Sequence, residues 1–376
     1  MEPIRFLHTA DWQLGMWRHF LNEEAQARFT ADRINAIRRI GSLAGEVKAA
    51  FVVVAGDIFE SNQLERTTIR RALDAMAEAQ VQFYLLPGNH DPLQPGSIFS
   101  SAFFGEGRPA NVEVLTDSEP RRPIPGVEVV GVPWLSKRPA RDLVGSLCGQ
   151  LAPSSTGVRV VVAHGAVDVL NPDPDPPELI RLEVVEQALR ERRLDYLALG
   201  DRHSTTSVGV SGAIWYSGAQ EPTDFDEVDP GNVLLVELGG GAPAVTPRRV
   251  STWEFRQERF DINQRSDLER LSRWLQRQPA KERTVLRLSF VGTVSIQVRA
   301  ELEATLDEAN EVFAGVQVQQ SRTELAVMPE DGDFSDLGLS GFAAAACDQL
   351  RRRAAEGDEA AADALSLLFR LVRASA

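Results

Sequence analysis

Between Ile4 and Leu199, short apolar runs alternate with longer amphipathic stretches. The runs are nearly continuous in apolar residues, which is typical of strands buried on both faces by helices. They read IRFLHTA, AAFVVVAGD, VQFYLLPGN, VEVVGVPW, RVVVAHG and LDYLALGD. Between them, helical spacing places isoleucines and other apolar residues on one face of Thr30–Ile40 and of Leu64–Ala79. This alternation predicts a layered α/β domain.

The pattern changes towards the carboxyl end of the chain. After Ile214, short strands such as WYSG and NVLLVEL complete the first domain, which we place at residues 1–262. A compact α+β unit then follows at residues 263–330, a cap domain in which a helix, a strand, a helix and a strand alternate. These elements are expected at Leu268–Leu275, Thr284–Phe290, Val298–Phe313 and Val316–Val327.

The last segment, residues 331–376, has the pattern of a helical hairpin. It begins in the acidic turn Pro329–Asp336, after which Ser340 can cap a helix at Phe342–Ala355 and Gly357 can end it. A second helix follows, with its apolar positions at Leu365, Leu368, Phe369 and Val372. The chain is therefore expected to have three parts.

Polar side chains of the kinds that bind metals lie just beyond the ends of these strands. In open α/β sheets the carboxyl ends of strands form the ligand site, so the residues are expected to meet at one edge. A single polar residue after a strand is usually only a turn, but five motifs in order are not readily explained by turn chemistry. The residues are Asp11, Gln13, Asp57, Asn89, His90, Asp91, His164, Asp201 and His203.

These residue types suit a pair of divalent cations. Two cations need one carboxylate that bridges them, oxygen and imidazole ligands around each, and an open edge for a phosphate. Asp57 is the expected bridge. One metal would be completed by Asp11, Gln13 and His203, and the other by Asn89, His164 and Asp201.

The expected chemistry is hydrolysis of a phosphate ester. A water held between two cations has a lowered pKa and attacks phosphorus at neutral pH. His90, beside the metals, would stabilise the transition state or protonate the leaving oxygen, and Asp91 would orient it.

Bulk composition narrows the class of protein. The formal net charge of −14 argues against a protein that simply coats DNA, since phosphate contacts depend on basic surface. It argues less against an enzyme, because acidic ligands become electropositive once cations bind. No apolar run is long enough to span a bilayer, and the only cysteines are Cys148 and Cys347. A cytoplasmic protein without a membrane segment is expected.

The motifs HTADWQLG, GDIFE, GNHD, VVVAHG and ALGDRH resemble, in order, those of the calcineurin-like phosphoesterase superfamily. The wording of the first two is similar to that of the SbcD-type break-repair nucleases. The resemblance covers roughly residues 1–260 and implies a four-layer α/β/β/α sandwich. It further implies a manganese-dependent exo- and endonuclease, with magnesium as the other candidate metal, and a DNA-contacting cap. Such nucleases are usually homodimers that partner an SMC-like ATPase through a C-terminal helical segment.

Two positions depart from the family pattern. Gln13 and Asp201 each stand where the family has histidine. Both retain an oxygen that can coordinate a hard cation, which favours manganese or magnesium. Because the glutamine amide is neutral, weaker binding of the first metal is expected.

Several features leave more than one interpretation open. The basic stretch Met16–Arg39 is either a guide for a DNA backbone or a solvated helix face. Leu64–Ala79 either forms a dimer contact or packs on its own sheet, and the C-terminal hairpin either binds the ATPase or packs on the small domain. For the whole chain, a DNA nuclease competes with a phosphodiesterase for small substrates and with a non-catalytic scaffold for DNA or an ATPase.

Overall fold

The apolar runs form strands in the computed structural model, which describes residues 3–154, 157–173, 176–239, 241–328, 341–356, 358, 360–361, 364–365 and 367–368. Its strands are β1 Ile4–Thr9, β2 Phe51–Val54, β3 Gln82–Leu85, β4 Val112–Val114, β5 Val127–Gly131, β6 Val158–His164, β7 Tyr196–Gly200, β8 Thr206–Val208, β9 Ile214–Tyr216, β10 Asn232–Leu238, β11 Ala244–Arg249, β12 Glu254–Asp261, β13 Thr284–Ser295, β14 Gly315–Val318 and β15 Glu324–Met328. Its helices are α1 Glu23–Val47, α2 Arg66–Ala77, α3 Ala102–Gly107, α4 Leu143–Gln150, α5 Leu182–Arg190, α6 Arg265–Gln276, α7 Ile296–Val312 and α8 Gly341–Ala355.

The chain folds as two units. The first contains residues up to 18 and 26–253, and the second contains residues 19–25 and the chain from 254 onward. The first unit holds two sheets. The six-stranded sheet has the order β11-β10-β1-β2-β3-β4, and the five-stranded sheet has the order β5-β6-β7-β9-β8. Strands β1 to β4 run parallel in the first sheet, and strands β5 to β7 run parallel in the second.

Side-chain alternation along the strands produces the layers of the first unit. On β2, Phe51 and Val53 join the apolar core between the two sheets, to which Val160 of β6 also belongs. The intervening residues Val52 and Val54 face the opposite way and pack with α1, α2 and α3. The outer face of the second sheet is covered by α4 and α5. The first unit is therefore the expected α/β/β/α sandwich, and its near-continuous apolar strands are explained by burial on both faces.

The apolar stripe of α2 is occupied within its own unit. Its buried residues pack in the core between the helices and the first sheet. This is the second of the two interpretations of Leu64–Ala79. A homodimer stays a prediction without support from this helix.

The second unit is an α+β fold around one long strand. β13 pairs in parallel with β12 on one side, and with β14 and then β15 along the other. Leu286, Leu288 and Phe290 of β13 pack with Leu271 of α6 and Phe313, which follows α7.

The structure corrects two expected boundaries. The first domain ends at Trp253 instead of residue 262, because β12 directly follows the first unit and pairs with β13. The single strand expected at Val316–Val327 is two strands separated by a turn at residues 320–322. Both β14 and β15 pair with β13, one after the other. The apolar pattern therefore continues across the turn, and in the sequence it looks like one strand.

The C-terminal helix α8 lies where the sequence placed it. Cys347 of α8 packs with Leu365 and Leu368, both in helical backbone, and with Ala326 of β15. These described residues of the tail therefore pack on the small domain. The expected acidic turn, the cap at Ser340, the stop at Gly357 and the apolar positions 369 and 372 lie outside the described residues. In the part of the chain that the structure describes, no helix combines the length and apolar composition needed to cross a membrane.

Candidate metal centre

The loops after five parallel strands deliver the polar residues to one site in the first unit. Asp11 and Gln13 follow β1, Asp57 follows β2, and the Asn89-His90-Asp91 run follows β3. His164 is the last residue of β6, and Asp201 and His203 follow β7. The carboxyl ends of strands from both sheets therefore contribute, as the parallel topology requires.

Backbone hydrogen bonds fasten these loops to one another. The Asp11 amide donates to the Gly56 carbonyl at 3.1 Å, and the Gln13 amide donates to the Asp57 carbonyl at 2.8 Å. Across the two sheets, the Asp201 amide donates to Oδ1 of Asp11 at 2.9 Å. The loops after β1, β2 and β7 thus form one connected framework.

Four of the candidate ligands occupy left-handed backbone, which is uncommon for residues other than glycine. The φ angles are 53° at Asp11, 40° at Gln13, 52° at Asp57 and 100° at Asp201. Such conformations persist only where the surroundings over-determine them, and they cluster at functional sites.

The Asp57 carboxylate lies at the centre of the cluster. Its Oδ1 accepts from the His90 amide at 3.0 Å and lies 3.4 Å from Nε2 of His164. One ligand atom each of Asp11, Asp57 and His164 lie within 4.8 Å of one another. Asp201 adds a carboxylate oxygen 3.8 Å from Nε2 of His164. Asp57 therefore lies close to three of the other candidate ligands.

The His164 ring is held with one nitrogen facing the cluster. Its Nδ1 lies 2.9 Å from the Ala55 carbonyl, to which a proton on Nδ1 is donated, and its Nε2 lies 2.6 Å from Oδ1 of Asn89. The indole Nε1 of Trp134 donates to the His164 carbonyl at 2.7 Å, and the two rings meet edge to face. Metal-binding histidines are typically fixed in this way, through the nitrogen that does not coordinate.

His203 is held in the same manner by residues that sequence reasoning missed. Its Nδ1 lies 2.6 Å from the Thr223 hydroxyl and 3.1 Å from a carboxylate oxygen of Glu227. Its Nε2 lies 3.0 Å from the amide nitrogen of Gln13. Thr223 and Glu227 belong to an acidic loop between β9 and β10, where no spacing distinguishes them from solvated residues. Only the tertiary structure could identify them.

Three glycines allow the loops to approach the candidate ligands. A Cβ at Gly56 would lie 2.6 Å from Cγ of His164, and one at Gly88 would lie 2.6 Å from the backbone nitrogen of Asp57. A Cβ at Gly200 would lie 2.9 Å from Nδ1 of His164. Real Cβ atoms do not approach other atoms this closely, so the site requires glycine at these points.

The site carries an excess of negative charge. Burial raises the pKa of Asp11 to about 6, although His203 and His164 oppose the shift, and burial also raises the pKa of Asp201. Burial alone would lower the pKa of His164, but the carboxylates of Asp57, Asp201 and Asp11 raise it to about 9. The raised pKa of His164 shows that the carboxylates around it favour a positive charge at this point. A bound metal cation would neutralise the same carboxylates.

Two buried oxygens of the candidate ligands, Oδ2 of Asp11 and Oε1 of Gln13, have no hydrogen-bond partner among the described residues. Burying such atoms without a partner is costly, so a ligand for them is expected. Carboxylate and amide oxygens with two imidazoles form a donor set that suits hard or borderline divalent cations. The residues present therefore fit the metal pair that the motifs imply.

His90 lies at the edge of this cluster. Its Nδ1 is 3.0 Å from the Glu60 carbonyl, and its Nε2 is 3.9 Å from Oδ2 of Asp57. Asp91 does not orient this ring: its two oxygens accept from the amides of Gly88 and Phe59. Burial raises the pKa of Asp91 to about 7, and its structural role is to hold the loop after β3 against the loop after β2.

Arg33 of α1 supports the first motif from beneath. Its buried guanidinium donates to the carbonyls of Trp12 at 2.7 Å and Glu221 at 3.2 Å. Burial lowers the pKa of Arg33 to about 10, so it stays charged at neutral pH. The loop that carries Asp11 and Gln13 is thereby fixed to the core.

Comparison with known proteins shows the family of this chain. The model of the calcineurin-like phosphoesterase family matches residues 4–237. The chain is 27% identical over 288 residues to the D subunit of the nuclease SbcCD of Rhodobacter capsulatus, a match that covers 65% of this chain and 69% of that protein. Similar solved structures include TT1561 of Thermus thermophilus, at 10% identity and a TM-score of 0.42, and a dimetal phosphatase from Danio rerio, at 15% and 0.41. Each of these two structural matches covers 65% of this chain and 99% of the matched chain.

Proposed function

The chain belongs to the calcineurin-like phosphoesterase family and is a metal-dependent phosphoesterase. From this we propose that it is a DNA nuclease. It would hydrolyse phosphodiester bonds with two divalent cations, preferably manganese. The observation that carries the proposal is the buried cluster of Asp11, Asp57 and His164. Support for DNA as the substrate comes from the similarity to a protein named as part of a nuclease.

The proposed ligands divide between two cations. Asp57 would bridge them, with Asp11, Gln13 and His203 on one side and Asn89, His164 and Asp201 on the other. When bound, the cation pair would supply a deprotonated water and neutralise the charge that develops on the phosphate. The Nδ1 atom of His164 is hydrogen-bonded to the Ala55 carbonyl, and that of His203 to Thr223 and Glu227. These bonds would keep the Nε2 atom of each ring directed at the cations.

His90 is the proposed proton donor. The Glu60 carbonyl accepts from Nδ1, which fixes the ring and leaves Nε2 directed towards the cluster. A charged ring can hand the proton on Nε2 to the leaving oxygen of the cleaved ester. General acids typically contribute about 10²- to 10⁴-fold to the rate.

Release of nucleotides from linear DNA with manganese tests the proposal. Asp57→Asn should abolish release and lower the number of bound manganese ions measured by calorimetry. Asp74→Asn, at an exposed position on α2, is the matched control and should retain both. His90→Ala should bind manganese yet cleave about 10²- to 10⁴-fold more slowly. Absence of cleavage of single-stranded, duplex and hairpin DNA by the unmodified protein would refute the nuclease.

A non-catalytic scaffold is favoured by one observation, the neutral amide of Gln13 in the first motif. Under that alternative, calorimetry would show no tight manganese binding while DNA binding persists. A phosphodiesterase for small substrates would instead turn over aryl phosphodiesters quickly, and DNA would neither bind nor compete.

We also propose an SMC-like ATPase as partner and a homodimer as the assembly. The relative's name describes one component of a nuclease complex. On this chain, Phe342 at the start of α8 is 90% exposed and offers an apolar contact for such a partner. Phe342→Ser should weaken binding to the ATPase in a two-component titration, and sedimentation would report the dimer.

A further inference from the structure

Trp17 lies on the loop of the first motif with 66% of its surface exposed. A single exposed apolar residue is normal on a protein surface, so exposure by itself decides nothing. What distinguishes Trp17 is the way the backbone around it is held.

The buried amide of Gln26 fixes the backbone on both sides of Trp17. Its oxygen accepts from the Arg18 amide at 2.9 Å, and its nitrogen donates to the Met16 carbonyl at 3.1 Å. The same nitrogen lies 3.1 Å from the Thr30 hydroxyl, within α1. The indole is therefore presented to solvent from a backbone that is hydrogen-bonded on both sides, so little backbone entropy remains to be lost when a ligand binds it.

This loop also carries the candidate ligands Asp11 and Gln13. A turn in which the Met16 amide donates to the Gln13 carbonyl at 3.1 Å shortens the path to Trp17. Even fully extended, the chain from Gln13 to Trp17 spans at most roughly 14 Å. At the roughly 3.4 Å spacing of stacked bases in duplex DNA, that distance corresponds to about four nucleotides, and to fewer in an extended unpaired strand.

A cation adjoins the aromatic ring in the sequence. The Nε atom of Arg18 is buried and has no hydrogen-bond partner within the described ranges. Aromatic and guanidinium side chains are the two kinds that bind single-stranded nucleic acid, because bases stack on aromatic rings and phosphates pair with cations.

We propose that Trp17 is a stacking platform for an unpaired nucleobase of the DNA strand whose phosphodiester enters the metal centre. This inference rests on the proposed function, because it assumes a DNA substrate. It adds that the strand is recognised near the site through the face of a base, independently of sequence.

Binding of a fluorescent (dT)12 strand with phosphorothioate linkages, which resist cleavage, to the full chain in the presence of manganese tests the platform by anisotropy. Trp17→Ala should weaken binding about 5- to 150-fold, the range that loss of one base stack produces. Trp17→Phe should restore part of the affinity. Val210→Ala is the matched control, since Val210 is also apolar, is 93% exposed and belongs to the same unit. Thermal unfolding checks that each variant is folded.

An abasic strand of equal length separates stacking from charge. The unmodified protein should bind it about as weakly as Trp17→Ala binds (dT)12, and Trp17→Ala should cause no further loss. An equal loss on both strands would overturn the stacking role.

The remaining outcomes distinguish this inference from the proposed function. If the unmodified protein and Trp17→Ala bind (dT)12 equally, the platform is refuted and the nuclease stands. If the unmodified protein binds no DNA, both fail. If Trp17→Ala instead lowers the sedimenting mass without changing DNA affinity, the indole is a contact between copies and the platform is refuted.

Discussion

Gly56→Ala is the substitution from which the geometry of the candidate metal centre makes its sharpest prediction. An added Cβ would lie 2.6 Å from Cγ of His164, whereas ordinary contact begins at 3.4 Å. The ring must therefore retreat by at least 0.8 Å, the difference between these two distances. The backbone at Gly56, with φ of 95°, is also one that alanine rarely adopts.

The expected magnitude follows from these two effects. A left-handed backbone costs about 1–2 kcal/mol for a residue with a Cβ, and loss of the His164–Ala55 hydrogen bond costs about 1 kcal/mol. We therefore expect the free energy of unfolding to fall by about 2–3 kcal/mol. Displacing a metal-binding histidine from its supporting contact should weaken manganese binding about 10- to 100-fold.

The assay is urea unfolding together with calorimetric titration of manganese. Gly45→Ala, on α1, adds the same methyl group where nothing lies within 4 Å and φ is not positive. That control should stabilise the protein by about 0.5–1 kcal/mol and leave manganese binding unchanged. If Gly56→Ala is folded and binds manganese with the original affinity, His164 is not the ligand that the geometry indicates.

Three further predictions concern single side chains around the site. Glu227→Gln should lower manganese affinity about 10- to 100-fold while the protein stays folded, because Glu227 orients His203, and calorimetry that shows no change would remove this role. Gln13→His should tighten binding of the first manganese ion, because an imidazole is a stronger donor than a neutral amide, and unchanged or weaker affinity would show that Gln13 does not limit the site. Burial lowers the pKa of His8 from 6.5 to about 3, so the stability that its neutral ring contributes is complete above pH 6.5 and is lost as the pH falls towards 3. In that pH window, His8→Gln should reduce the pH dependence of the unfolding free energy by up to about 1.4 kcal/mol per pH unit relative to the unmodified protein. Urea unfolding at several pH values measures this dependence, and an identical slope for both proteins would contradict the prediction.

The sequence by itself determined the layered α/β architecture and the residues of the five motifs. Continuous apolar strands require cover on both faces, and parallel strands bring their carboxyl ends to one edge. Those two rules sufficed to predict that Asp11, Asp57 and His164 would meet, since each ends a strand or lies within three residues of a strand end. Patterns of this kind depend only on residues that are close together in the sequence, so they can be recognised without the structure.

Only the tertiary structure decided which residues hold the ligands in place. Thr223 and Glu227 reach His203 from a loop without a motif, and the Glu60 carbonyl, not Asp91, binds the ring of His90. The boundary at Trp253 likewise depends on β12 pairing with a strand that follows later in the chain. Such contacts join residues that are distant in sequence, and their partners are set by how the loops and sheets pack, which no local pattern records.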